Sequence, residues 1–397
     1  MKDTEIVVST PLRTAIGTFG GLLKDTPATD LGTTVVKAIL ERTGLDPQQI
    51  DQIIVGNVLQ AGQGMNPGRQ VAIKAGLPVQ VPGMTINRVC GSGLQAVISA
   101  AQEVLLDTAD VVLAGGMENM DQAPFLLPKA RYGYRMAMPS AELIDSMVYD
   151  GLWDIFNTYH MGTTAENVAK KYGVSREEQD AFAVRSHQRA AAAMREGLFT
   201  SQIVPVALRQ KNETVEFTQD EHVRMNATPE SMAKLKPVFD KQGSVTAGNA
   251  SGINDGAGFM LVTSAAKAKA LGLPVAGRLV SYAVTGVDPA YMGIGPVSAT
   301  RKALDRAGLR TSDIAIFEVN EAFASVAVAI GNELKLPAEK VNPLGGAIAL
   351  GHPIGATGAI LVVKLLHELA RRQERYGVVT LCIGGGMGIA AVFERVE

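Results

Sequence analysis

Two distant stretches of this chain are built alike. "KAILERTGLDPQQIDQIIVGN" (37–57) and "KALDRAGLRTSDIAIFEVN" (302–320) each read as a helix closed by Gly-Leu, a short polar loop and a buried strand ending in Asn. Cys90 stands 33 residues after Asn57, and His352 stands 32 residues after Asn320. Each is followed by glycines and an apolar helical run ("GLQAVISAAQEVLL"; "GATGAILVVKLLHEL"), then by an apolar strand running into glycines ("ADVVLAGGMEN"; "YGVVTLCIGGGMG"). Helices alternating with near-continuous Val/Ile/Leu strands predict buried sheets covered by helices, an α/β fold. Two similar halves then pack about a pseudo-twofold axis. That arrangement places Cys90 and His352 at equivalent positions, each at the N-terminal end of a central helix and facing the other.

Between the halves, residues 119–249 are more polar and irregular, and they read as an insertion forming a lid over the site. Within it "SREEQDAFAVRSHQRAAAAMREG" predicts an amphipathic helix whose start at Ser175 and Glu178 has the capping-box pattern. A net charge of −2 with no long Lys/Arg run argues against nucleic acid or an anionic membrane as partner. The longest uncharged window, Asn342 to Val363, contains five Gly, two Pro and a His, which disfavours a membrane span. Two cysteines far apart and five scattered His predict no metal site, and a reducing cytoplasm is the expected setting. The opening "MKDTEIVVST" reads as a strand without a charged-then-apolar leader.

A cysteine chosen at random is most often a buried structural residue. In "INRVCGSGLQAV", however, Cys90 stands before Gly91-Ser92-Gly93 and a helix, where the helix N-terminus is expected to favour thiolate. The glycines leave N–H groups open to an oxyanion. His352, in "GGAIALGHPIGATGA", is the side chain whose ordinary pKa suits activation of a thiol. Cys382, in "LCIGGGMGIA", reads either as core or as a second acid/base group. Asn320, in "EVNEAFASVAVA", is a strand-end residue able to hold a water or an oxyanion. "TAGNASGINDGAG" (246–258) supplies small residues suited to the close passage of a slender ligand. No Walker-type Gly-Lys pair and no Gly-x-Ser-x-Gly occur, so nucleotide phosphate loops and serine hydrolases are unsupported.

Taken together, "LRTAIGTFGG", "NRVCGSGLQAV", "AGGMENM", "YHMGTTAENVA", "TAGNASGINDGA", "NEAFA", "GGAIALGHPIGATG" and "CIGGGMG" cover essentially the whole chain, and the sequence resembles the thiolase family. The resemblance implies an αβαβα layered fold of two similar halves, 1–270 and 271–397, with a loop domain inserted at about 119–249. It implies an acyltransferase that condenses two acetyl-CoA to acetoacetyl-CoA and CoA, reversibly, through an acetyl-cysteine. By the same resemblance Cys90 is the nucleophile, His352 the base that activates it, and Cys382 the acid/base at the substrate's α-carbon. Asn320 positions a water that binds the enolate oxygen with His352, and the N–H groups of Cys90 and Gly384 form a second oxyanion hole. Leu152, His160, Met161, Arg224, Ala247, Ser251, Ala322 and Phe323 are implied to line the path of coenzyme A, a substrate rather than a tightly bound cofactor. The "YHMG" stretch resembles members acting on short chains, with Met161 narrowing the acyl pocket, and a homotetramer is implied.

Leu344, Val326 and Pro11 depart from the family's common Asn, Gln and Ala, the first two close in sequence to His352 and Asn320. A thiolase of broad chain length is the alternative enzyme. A carrier or scaffold protein of this fold should lose one of Cys90, His352 or Cys382, and a decarboxylating ketoacyl synthase should carry a second His where Cys382 stands.

Overall fold

The computed structural model describes residues 4–132, 142–210 and 213–396. The repeat is visible first in the strands. In the first half these are β1 (Ile6–Thr14), β2 (Gln52–Gly56), β3 (Gly83–Ile86), β4 (Val111–Asn119) and β5 (Asn254–Ser264); in the second, β6 (Val275–Gly286), β7 (Ile316–Val319), β8 (Tyr376–Ile383) and β9 (Met387–Glu394). They run in the order β3-β2-β4-β5-β1-β6-β9-β8-β7 in one sheet. From the centre outward each half repeats the same sequence of neighbours: β1-β5-β4-β2 and β6-β9-β8-β7 both pair antiparallel, antiparallel, then parallel. The halves join where β1 meets β6 antiparallel, Val7 opposite Arg278 and Val8 opposite Gly277.

Alternating side chains on these strands build three apolar layers. Helices α1 (Ala28–Thr43) and α2 (Pro67–Lys74) cover one face of the first half, where Val35, Ile39 and Val71 meet Ile53, Leu113 and Leu261. The other face, carrying Ile54, Val112 and Val262, packs on α3 (Ser92–Leu105) and α8 (Thr357–Arg372). Those two helices are shared, because Leu381, Ile389 and Phe393 of the second half close on them from the opposite side. The outer face of the second half, with Phe317, Val378 and Val392, is covered by α6 (Gly295–Ala307) and α7 (Ala324–Leu334). The result is α-β-α-β-α layering. Each fully buried Leu, Ile or Phe contributes about 2 kcal/mol of transfer free energy.

The central helices cross without room for a side chain. A Cβ on Gly93 of α3 would stand 2.7 Å from the Ala359 nitrogen, and one on Gly358 of α8 would strike the backbone of Leu94. The repeat is therefore in register at Gly93 and Gly358. Cys90 lies two residues before α3, whereas His352 lies five before α8, so the two flank the axis as near rather than strict equivalents.

Among the described residues, 120–253 add to the large sheet only through Ile203–Val204, which pairs parallel with Arg13–Thr14. A buried fork fixes that junction: Arg13 donates to both carboxylate oxygens of Asp220 at 2.7 and 2.9 Å and to Gln202 Oε1 at 2.8 Å. Helix α4 (Met161–Tyr172) packs Met161, Ala165 and Val168 into the outer layer of the second half, so this region is core as well as cover. Helix α5 (Arg176–Arg195) starts with the expected capping box between Ser175 and Glu178.

Candidate active site

Cys90 sits in a tight loop between β3 and α3. Val89 before it has φ +44°, a costly conformation for a β-branched residue. Side chains hold it there: Asn87 Oδ1 accepts from Val89 N at 2.8 Å, while Ser92 Oγ donates to Val89 O at 2.7 Å and accepts from Arg88 N at 2.8 Å. The loop presents the Cys90 sulfur to the Gly384 N–H, just beyond the end of β8. Cys382, almost wholly buried near the end of that strand, is close enough that a charge on Cys90 raises its thiol pKa.

His352 approaches from the segment before α8, and Ile354, two residues on, packs in one apolar cluster with Val58, Leu59, Leu152 and Cys90. Three groups hold the histidine. Its backbone N–H donates to Asn254 Oδ1 at 2.9 Å, and Nδ1 lies 2.7 Å from Thr357 Oγ1. Thr357 spends its one hydroxyl proton on Pro353 O at 2.8 Å, so Nδ1 carries the ring proton and Nε2 keeps its lone pair. Nε2 faces the Asn320 amide at 3.3 Å. Asn320 follows β7, anchored by its N–H on Thr380 O at 3.0 Å, next to the strand that carries Cys382.

Electrostatics correct one expectation. The Cys90 thiol is not lowered by its helix: burial pushes it up to about 11, outweighing the N–H groups that reach the sulfur, with the Glu118 charge adding to the rise. Gly91, not Cys90, is the residue capping α3. Burial likewise drives His352 down to about 4 and raises Cys382, which also feels Cys90. At neutral pH the site rests as thiol, neutral imidazole and thiol. No ion pair needs to be broken before a neutral thioester enters.

The residues expected along the coenzyme path fall into two connected groups. His160 Nδ1 accepts from Gly162 N at 3.0 Å, capping α4, and its ring stacks on Phe239 at 4.8 Å. Phe239 in turn meets Phe323 edge-on at 6.4 Å. Met161 is buried beside the Cys90 loop, its sulfur 3.7 Å from where a Cβ on Gly384 would stand. Leu152 borders the apolar wall next to Cys90. Ser251 N donates to Ala322 O at 3.0 Å. Arg224 and Ala247 make a separate contact, Nη2 to carbonyl at 3.1 Å, tied to the others through the 247–251 strap.

Sequence reasoning passed over Phe239, a single aromatic in "KLKPVFDKQG" with no periodicity to mark it. Asn254 and Thr357 lay inside quoted motifs, but their roles arise only when distant segments meet. Leu344 and Val326 are both buried in apolar layers. Polar support near Asn320 comes instead from Asn342, whose amide binds both the N–H and the C=O of Val319 at 2.8 Å. Among the described residues no group of three His, Cys, Asp or Glu is placed to hold a metal ion, and no helix is long and apolar enough to cross a membrane.

Two cysteines and a histidine are thus presented by neighbouring segments, Cys90 before α3, His352 before α8 and Cys382 near the end of β8. Family models described as "Thiolase, N-terminal domain" and "Thiolase, C-terminal domain" match residues 6–266 and 273–395. An acetyl-CoA acetyltransferase of Pseudomonas aeruginosa is 57% identical over 396 residues, covering 100% of both chains. The crystal structure of the Bacillus anthracis acetyl-CoA acetyltransferase superposes with a TM-score of 0.96 at 43% identity, covering 99% of each chain. Human mitochondrial 3-ketoacyl-CoA thiolase in complex with CoA gives 0.94 at 42% identity, covering 99% of this chain and 98% of that one. The chain belongs to the thiolase family.

Proposed function

We propose that the protein is an acetyl-CoA C-acetyltransferase, joining two acetyl-CoA into acetoacetyl-CoA and CoA or running the reverse thiolysis. The observation that carries this reading is the meeting of Cys90, Cys382 and the Gly384 N–H at one point, with the His352–Asn320 pair beside them. The near full-length identity to an acetyl-CoA acetyltransferase supports it.

In the first half-reaction the Cys90 proton passes to His352 Nε2 as sulfur attacks the thioester carbon. The Cys90 and Gly384 N–H groups receive the oxyanion, and coenzyme A leaves as a thiol by taking the proton of Cys382, so that Cys382 becomes thiolate while His352 stays protonated at Nε2. Sulfur replaces sulfur, so the exchange is nearly even in energy. In the second, the Cys382 thiolate left by that step removes an α-proton from a new acetyl-CoA. The enolate oxygen is held by His352 and by a water on Asn320, whose Oδ1 is buried with no protein partner among the described residues. The enolate carbon attacks acetyl-Cys90, and Cys90 leaves as the thiol by recovering the proton from His352, which returns the site to thiol, neutral imidazole and thiol.

Coenzyme A enters along Leu152, His160, Arg224, Ala247, Ser251, Ala322 and Phe323, and Met161 closes the acyl end. The chain divides at about residue 270 into two halves, with the 119–249 insertion in the first, and it works as a cytoplasmic homotetramer. The test is cleavage by free coenzyme A of acetoacetyl-CoA against a six-to-eight-carbon 3-ketoacyl-CoA. The short substrate is expected to be preferred by at least roughly tenfold in kcat/KM, about 1.4 kcal/mol, and Met161→Gly should shrink the ratio. Equal or better cleavage of the long substrate moves the assignment to a broad 3-ketoacyl-CoA thiolase, and no cleavage of either to a carrier.

A further inference from the structure

The "AGGMENM" stretch places a glutamate, Glu118, at the end of β4, fully buried and outside every role assigned above. Four donors reach its two oxygens. Oε1 accepts from the Asn57 amide at 2.7 Å and from Leu59 N at 3.2 Å; Oε2 accepts from Val58 N at 3.0 Å and from Gly355 N at 2.9 Å. A carboxylate has four lone-pair directions, and all four are used, so the pocket is built for the ionised acid. Burial nevertheless pushes the group up to about 7.

The partners matter more than their number. Gly355 belongs to the loop joining His352 to α8, in the second half, and any side chain there would run into the Glu118 carboxylate. Residues 57–59 end the strand segment of the first half. Between them these segments carry Val58, Leu59 and Ile354, the apolar wall against which Cys90 packs. The repeat adds a second observation. Asn57 and Asn320 end equivalent strands, and each has a buried Oδ1 with no protein partner among the described residues. The Asn320 amide faces the imidazole, while the Asn57 amide faces the Glu118 carboxylate.

We propose that Glu118 is a positioning residue of the acyl-transfer reaction: its carboxylate locks the His352 loop to the wall beside Cys90 across the two halves and sets a negative charge behind the nucleophile. The proposal rests on the role given to Cys90 above. Among the described residues the titratable groups around Cys90 are Glu118 from β4, Cys382 from β8 and His352 from the loop before α8, and it is the Glu118 charge that acts on the Cys90 thiol.

Iodoacetamide labelling of Cys90 against pH, read by peptide mapping, together with steady-state acetoacetyl-CoA cleavage, tests this in the full chain and two variants. In the unmodified protein the labelling rate should climb with pH towards about 11. Glu118→Gln should shift that profile to lower pH while kcat falls by roughly 100-fold at a KM within about twofold, because a small misplacement of reacting groups has that effect on rate. Glu118→Asp keeps the charge but shortens the clamp: the profile should stay in place and kcat should still fall. Cys382 should remain unlabelled in both. Wild-type kcat in either variant, an unmoved profile in Glu118→Gln, or losses accompanied by labelling of Cys382 through unfolding would overturn the proposal. Failure of the unmodified protein to cleave acetoacetyl-CoA would sink the acetyltransferase reading instead, leaving the labelling shift to judge Glu118.

Discussion

At the scale of single residues, the site depends on which nitrogen of His352 is free. Thr357 decides it, because its hydroxyl proton goes to Pro353 O and leaves Oγ1 to accept from Nδ1. Thr357→Val removes that acceptor and releases the tautomer, so kcat should fall by roughly 10- to 100-fold with KM little changed, while Thr357→Ser should retain most turnover. Steady-state kinetics on the two variants would refute this if both matched the unmodified protein. The motif around Thr357 was legible, but its role was not: a threonine opening a helix looks like an ordinary start until Pro353 and His352 close around it. The Cys90 thiol teaches the same lesson more sharply. Its helix was correctly read from "CGSGLQAV", but the direction of its pKa was not. Burial by Val58, Leu59 and Ile354 is a sum over segments that no local pattern contains.

At the scale of elements, α3 and α8 must touch backbone to backbone for both halves to deliver their loops to one place. Gly358→Ala inserts a Cβ against the Leu94 backbone, which cannot rotate away, and should destabilise the protein by about 3 kcal/mol in denaturant unfolding. Gly331 in α7 is the control, since a Cβ there meets nothing within 4 Å; Gly331→Ala should stabilise by about 0.5–1 kcal/mol through helix propensity alone. Equal effects from the two substitutions would contradict the crossing. These helices and their flanking strands were readable because apolar runs of strand and helix period repeat at matched spacing. The inserted region was less so. Its capping box at Ser175 announced α5, but nothing in sequence said that α4 would bury Met161, Ala165 and Val168 in the second half's core, or that Phe239 would bridge His160 and Phe323.

At the scale of the whole molecule, the fold is a way of bringing two sulfurs and one imidazole from separate segments to one place, with an apolar wall beside Cys90. One half supplies Cys90, and the other supplies His352, Asn320 and Cys382. The joined sheet, the helix crossing and the buried Arg13–Asp220 fork hold them in register. A resting site of neutral groups predicts that the nucleophile gives up its proton only as it meets a thioester, so the acyl-enzyme should form with substrate and persist when no second substrate can accept it. The most direct measurement is intact mass and peptide mapping after brief incubation with acetyl-CoA. We expect one acetyl group on the Cys90 peptide and none in Cys90→Ser. An unmodified Cys90, or acetyl found only on Cys382, would contradict the account.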